Sequence, residues 1–448
     1  MSLLLAALLA SSAAAQAPQF SLTMAEAEVA ARAHALDVKA AAEESAAARD
    51  RADAAYSPLL PRLTLDGYAR YQFEVPTLSL VPGGPAFQLG TNRSTSIGPA
   101  LSWTLWDEGA LVKTWRAQQA SARSQEEQQR LLETQATESA RLSYVQVQLA
   151  REKVSLLADS VSLADAQYAD IEKRLRAGAV SRIDSLSSHQ EDLQRRKDFL
   201  SAQSDLAGTL RELLQLTGLG AGLDVSRPVD VRVSTALPAG LPAPTLRVAL
   251  DGLADVPSAL AAVEAGTGPS QDHPGVLLYA RQADSSRLSA AATSAGNWPV
   301  IQFSGAIDYE YPNGLLPENV WQKTVGLSAS MPLFEDGRTT RQADAQKRLA
   351  VAAERRGDLA LERLARDWDK ARSALAALRD QAALDAVAVA ESAELARLVY
   401  LSYQAGRSHY LDVQTYDLAA LQAKVNAAQT RAQILIQLAT LAQLAAQG

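Results

Sequence analysis

Leu175–Leu186 reads LRAGAVSRIDSL, and Tyr403–Gln414 reads YQAGRSHYLDVQ. Gly178 and Gly406 stand 228 positions apart, as do Asp184 and Asp412. Each phrase interrupts a very long run of helix formers. Glycine takes the left-handed conformation at a helix end without steric penalty, and Ser181 or Asp184 is suited to cap a following helix. Each phrase therefore reads as the reversal between two long antiparallel helices, with tip turns at 177–181 and 405–409.

The duplication extends outward from the tips. SWTLWDEG (Ser102–Gly109) matches SMPLFEDG (Ser330–Gly337) at the same offset, and LLQLTG from Leu213 matches LAQLAA from Leu441. LPRLTLDGYARY from Leu60 aligns with WPVIQFSGAIDY from Trp298 at an offset of 238, so the first copy carries a longer loop between Gly67 and Gly109. A duplicated supersecondary unit sets the architecture. The reading is a first repeat over 16–225, a linker over 226–270 and a second repeat over 271–448. The linker, rich in proline and glycine, is expected to hold short irregular pieces.

Proline sharpens these boundaries. All 18 prolines fall in 18–99, 228–299 and 312–332, and a proline inside a helix costs about 3 kcal/mol. The two proline-free tracts are free to be long helices. The first repeat is expected to contain a helix over 22–57, a β-hairpin over 62–106, a long helix over 107–176 and a helix over 182–217. The second should contain a helix over 274–296, a hairpin over 300–334, a long helix over 336–404 and a helix over 410–446.

Composition narrows the class. The net charge of −7 and the absence of a basic cluster argue against nucleic acid. Without cysteine there are no disulfides, thiolate metal sites or cysteine lipidation. MSLLLAALLASSAAAQ offers an apolar core and an A-x-A site, a secretory signal peptide over 1–15 although Arg32 is the first basic residue. No later stretch is apolar for long enough to be a spanning helix.

Strict alternation marks the strands. Leu63, Leu65, Gly67, Ala69, Tyr71, Phe73 and Val75 point one way, with Thr64, Asp66, Tyr68, Arg70, Gln72 and Glu74 between them. Ile301 through Tyr311 alternates likewise, as do Ile97, Leu101, Trp103 and Leu105; Val325 to Leu333 is less clean, with Lys323 on the apolar side. Such strands with aromatic ends (Tyr71, Trp103, Trp106, Trp321) suit a membrane barrel. In hydrocarbon every backbone polar group must be satisfied, so open sheet edges are forbidden. Four strands cannot close, since the smallest membrane barrels use eight. Several chains must contribute to one barrel.

The helices support the same assembly. Leu142, Leu149, Leu156 and Leu163 repeat every seven residues, and so do Val147, Val154, Val161, Tyr168 and Leu175. Two coiled-coil seams roughly 150° apart give each helix two neighbours, as in a barrel wall; an antiparallel bundle shares much of this pattern.

These features together resemble the outer-membrane efflux protein family, the TolC type. The marks are the tandem duplication, LPRL leading into the first strand, W-D-x-G and F-E-D-G-R leaving the hairpins, and the paired tip motif. The resemblance implies an α+β membrane protein: a homotrimeric, twelve-stranded β-barrel, four strands per chain, continued by a long periplasmic α-helical barrel. It also implies a passive, gated exit duct in the outer membrane of a Gram-negative bacterium. Such a duct serves tripartite efflux or type I secretion, and is energised by an inner-membrane transporter through a periplasmic adaptor.

The family's tip motif, R-L-x-x-G-x-x-S-x-x-D, fits Arg174, Leu175, Gly178, Ser181 and Asp184. The second copy keeps Tyr403, Gly406, Leu411, Asp412 and Val413 but has Ser402 and His409 in place of Arg and Ser. By resemblance the adaptor docks on Arg174, Leu175, Gly178, Ser181, Tyr403 and Gly406. Asp184, Asp412 and Tyr403 form the gate, with Tyr403 linking to Asp184 in closed states and Asp412 in a weakened acidic ring, because Thr415 stands where some members have a second acid. Plain helix capping is an equal reading of Asp184 and Asp412.

Two rivals remain. A soluble or surface helical protein would use the same periodicity without transport. An enzyme is disfavoured: the only histidines are His34, His189, His273 and His409, none spaced for metal, and no phosphate loop or nucleophile elbow occurs. No metal or cofactor is expected. The cargo is not written in the chain.

Overall fold

The computed structural model describes residues 17–79, 86–88, 90–233, 240–253 and 268–445. The signal peptide expected over 1–15 lies outside the described residues, as do parts of the first hairpin, the linker and the C-terminus. In chain order the elements are β1 (Gln19–Leu22), α1 (Met24–His34), α2 (Leu36–Ala54), β2 (Arg62–Tyr71), β3 (Thr77–Ser79), β4 (Ala86–Gln88), β5 (Arg93–Trp106), α3 (Ala110–Arg176) and α4 (Arg182–Thr217). They continue with β6 (Pro228–Asp230), β7 (Leu246–Leu250), α5 (Pro274–Ala295), β8 (Val300–Tyr311), β9 (Val320–Ser330), α6 (Arg338–Gln404) and α7 (Tyr410–Leu444). They form two units, one drawn from residues 40–130 and 274–361, the other from the remainder.

The first unit holds an antiparallel sheet in the order β2-β5-β8-β9, so the two hairpins join through β5 and β8. Register aligns the apolar faces read from the sequence. Leu101 is opposite Leu63 on one side and Gly305 on the other, and Gly305 is opposite Val325. Trp103, Phe303 and Leu327 make a second such row. Gly98 permits the close approach of β5 to β8: a Cβ there would lie 2.0 Å from the Ile307 carbonyl oxygen. The outer edges of β2 and β9 have no ladder partner among the described residues. The longer loop of the first repeat contains the extra β3–β4 ladder, and β2 stops at Tyr71 where alternation had suggested Val75.

Helices in this unit meet through small residues. Ala48, Ala52 and Ala122 form one buried contact. Ser124 Oγ donates to the Leu278 carbonyl at 3.2 Å and Ser285 Oγ to the Ala117 carbonyl at 2.9 Å, stitching α3 to α5.

The second unit contains the main core. Tyr144, Val147, Val154, Val161, Phe199, Leu206, Leu210 and Leu213 are fully buried, together with Leu435 and Leu438 of α7. Of the two heptad seams on α3, the valine seam is the one the chain buries itself. The leucine seam is only partly covered, and Leu163 is 50% exposed.

Two expectations are corrected here. The helix expected over 22–57 is two helices broken at Ala35, whose φ of −54° and ψ of 118° leave the helical region. Its first residue, Leu22, is instead the last of β1, and Thr23 opens α1 with a capping box to Glu26. The described part of the linker is not wholly irregular: β6 and β7 join β1 in a parallel sheet ordered β1-β7-β6. Buried polar groups of α3 pin that sheet. Gln148 Nε2 donates to the Asp251 carbonyl at 2.7 Å, and Arg151 lies 3.1 Å from the fully buried Asp230 carboxylate. An unpartnered charge there would be costly.

Candidate functional site: the helix tips and the aromatic rows

Both tip turns are built by one backbone device. After α3 the Ala179 N–H donates to the Arg174 carbonyl at 2.9 Å and the Gly178 N–H to the Leu175 carbonyl at 3.0 Å. After α6 the Arg407 N–H donates to the Ser402 carbonyl and the Gly406 N–H to the Tyr403 carbonyl, each at 2.9 Å. These nested bonds satisfy the last helical carbonyls and require a left-handed residue; Gly178 has φ 73° and Gly406 φ 72°. The departures of the second motif at Ser402 and His409 leave this geometry unchanged because only the glycine is required by the backbone.

The acids start the following helices. Asp184 Oδ2 accepts the Ser181 N–H at 3.3 Å while Ser181 Oγ accepts the Asp184 N–H at 3.1 Å. Asp412 Oδ2 accepts the His409 N–H at 3.0 Å. A carboxylate at the first turn also complements the helix dipole.

Tyr403 is placed differently from the expectation. It is 7% exposed, packed with Ile171, Tyr410 and Val413, its ring 5.5 Å from that of Tyr410. Among the described residues its hydroxyl has no hydrogen-bond partner, and Asp184 bonds Ser181. Burial pushes the hydroxyl above its ordinary pKa, with the nearby Asp184 carboxylate adding to the shift.

Other polar bonds tie the two hairpins together. Arg174 Nε pairs with Asp170 at 2.9 Å, and the Tyr400 hydroxyl donates to the same carboxylate at 3.3 Å. Arg174 Nη1 reaches the Gln404 carbonyl at 3.4 Å. Gln167 Nε2 donates to Asp417 at 2.8 Å, and Gln414 Nε2 to the Ser187 carbonyl at 3.1 Å. Burial raises the pKa of Asp417 against the opposing effect of Gln167.

Sequence reasoning missed Asp417 and Gln167, which sit on helices with no local signal for their pairing. It also missed Ile183. Ile183 and Leu411 are equivalent across the 228-residue offset, each second in its helix, and remain 75% and 70% exposed. An apolar residue beside each capping pair was the available signal. Leu175 is half-buried, while Gly178, Ser181 and Gly406 are exposed.

In the other unit, Tyr71 and Trp321 lie at the loop end of the sheet and Trp103 and Trp106 at the helix end, all exposed. Trp321 contacts Tyr309 with ring centroids 5.1 Å apart, and Trp103 Nε1 donates to the Leu59 carbonyl at 3.1 Å. Ile97 stands opposite Tyr309, and Trp106 is nine positions along β5. At about 3.3 Å per residue, the two aromatic rows are roughly 30 Å apart along β5.

Each copy of the duplicated unit thus carries a two-stranded hairpin and two long helices. Residues 27–219 match the family described as Outer membrane efflux protein. The recognition drawn from the sequence motifs holds, as does the outer-membrane location it implied.

Solved structures agree in fold. The outer membrane protein VceC of Vibrio cholerae superposes with a TM-score of 0.71 at 14% identity over 94% of this chain and 96% of its own. The outer-membrane channel OprN gives 0.72 at 16% over 95% and 90%. The open state of the Neisseria gonorrhoeae MtrE channel gives 0.70 at 17% over 94% and 88%. No curated protein sequence matches. Among the described residues no helix is long and apolar enough to cross a membrane and no His, Asp and Glu cluster could hold a metal; the former says nothing of a barrel.

Proposed function

We propose that three copies of this chain form one exit duct, a twelve-stranded outer-membrane barrel continued by an α-helical barrel in the periplasm. The observation that carries this reading is the four-stranded sheet whose two outer edges have no partner among the described residues and whose apolar face is exposed, with Leu63, Leu65, Val325 and Leu327 each about 70–80% accessible. Lipid tolerates neither edge unless another copy pairs with it. The partly covered leucine seam of α3 supplies a helix-packing surface of the same kind. The matching family is described by efflux, and neighbours such as OprN and MtrE are named as outer-membrane channels; such a duct transforms no substrate.

The duct is gated at the helix tips and energised by an inner-membrane transporter through an adaptor. Gly178, Ser181 and Gly406 are open to a partner, and Arg174 and Leu175 frame them. Ile183 and Leu411 add an apolar pair suited to a helical hairpin. Because Tyr403 is buried, it acts in opening, by leaving its pocket, and not in first contact. Opening breaks the Arg174–Asp170–Tyr400 and Gln167–Asp417 links. Photo-crosslinkers placed at Ser181 and at Arg407, beside Gly406, test the reading in cells. Adducts with a periplasmic adaptor support it, and adducts confined to the sheet end of the molecule contradict it.

A further inference from the structure

Arg116 and Arg123 of α3 face Arg281 and Arg287 of α5 across a cavity of about 480 Å³ in the strand-bearing unit. The helices run antiparallel there, since Ala117 bonds Ser285 and Leu278 bonds Ser124. That register sets Arg116 level with Arg287 and Arg123 level with Arg281. The buried alanines Ala117, Ala120 and Ala283 allow the close approach. The result is two rungs of guanidinium groups about 10 Å apart along the axes.

The charges do not balance. Asp284 lies 3.1 Å from Arg287 and 3.9 Å from Arg281, and Glu354 also pairs with Arg287. No carboxylate pairs with Arg116 or Arg123 among the described residues. Four guanidinium groups against two carboxylates leave a local excess of two positive charges in a chain whose net charge is −7. Like charges held together in a walled site repel, and an arginine fork matches an oxyanion with two parallel N–H bonds.

The geometry points to an anion-binding site between α3 and α5 that takes an anionic phosphate-type group. Arg116 is six positions after Ala110, about 9 Å into α3 from the sheet end. A phosphate on a soluble molecule or on a lipid headgroup presents the same oxygens there.

The test uses the full-length protein in detergent at constant ionic strength. Inorganic phosphate titrated by calorimetry is one arm. Native mass spectrometry after release from nanodiscs of phosphatidylcholine with phosphatidylglycerol is the other. The double variant Arg116→Gln/Arg123→Gln changes two exposed, unpaired side chains and should assemble as the parent does. Lys347→Gln, elsewhere in the same unit, is the control. Binding in either arm that weakens about tenfold or more in the double variant, and not in the control, supports the site; the arm that responds identifies the source. Absence of binding in both arms, or equal binding by parent and double variant, overturns it.

Discussion

Glu108 and Asp336 lie 228 positions apart and hold the same left-handed backbone, with φ of 54° and 48°. Each is followed by a left-handed glycine, Gly109 or Gly337, and each sits where a hairpin strand gives way to a long helix. The two copies are therefore equivalent in backbone strain as well as in sequence. Capping is less equal: Asp107 accepts the Gly109 and Leu111 N–H groups, whereas Glu335 at the matching position engages the Arg338 and Thr339 side chains.

That strain is measurable. A non-glycine residue in this region costs about 1–2 kcal/mol, and a β-branched one more. Glu108→Val and Asp336→Val should each lower the thermal midpoint, while the glycine variants should equal or exceed the parent. Circular dichroism melts in detergent check the ranking, which should be the same at both positions.

The tip glycines separate conformation from bulk. No described atom lies within 4 Å of a Cβ built at Gly178 or Gly406, so among the described residues a larger side chain meets no neighbour and only the backbone objects. Gly178→Val should cost about 2 kcal/mol or more locally and abolish export with assembly intact. Gly178→Asn, which tolerates the left-handed region, should retain most export. Equal activity of the two variants would remove backbone conformation from the mechanism.

Asp417 gives the tip a pH dependence. Its folded pKa is raised by burial, so its favourable contribution is present below the ordinary carboxyl value and lost as pH rises through the folded one. The facing groups are Gln167 of α3, Glu191 and Arg195 of α4 and, around the adjoining groove, Asp159, Arg397 and Lys424. Asp417→Asn should stabilise the tip at neutral pH by a margin that shrinks as pH falls. Hydrogen exchange of Gln404–Val413 at two pH values reads that margin.

Gly98 tests the seam between the repeats. Any side chain there meets β8 backbone at 2.0–2.7 Å, which no rotamer relieves. Gly98→Val should abolish detergent-resistant assemblies, whereas Gly67→Ala, with only a 3.3 Å contact to the Ser96 carbonyl, should keep them.

The legible parts of this fold were those written in local periodicity. Alternation from Leu63 and from Ile301 foretold two of the strands, and the repeated glycine located both turns within a residue. What escaped depends on pairing across long separations. β1 pairs with β7 through Phe20 and Val248, and strands of three to five residues carry too little alternation to be seen. The Ile171–Tyr403–Tyr410–Val413 cluster combines both repeats and has no single-helix signature. Arg116, Arg123 and Arg130 did form a seven-residue stripe, but the arginines opposite them on α5 became partners only once the helices met.

The central claim is that the sheet of one chain is completed by other copies. Native mass spectrometry of the mature protein, released from detergent, measures the number of chains per particle directly. Three chains per particle is the predicted result. A single chain per particle, stable in buffer without detergent, would contradict it.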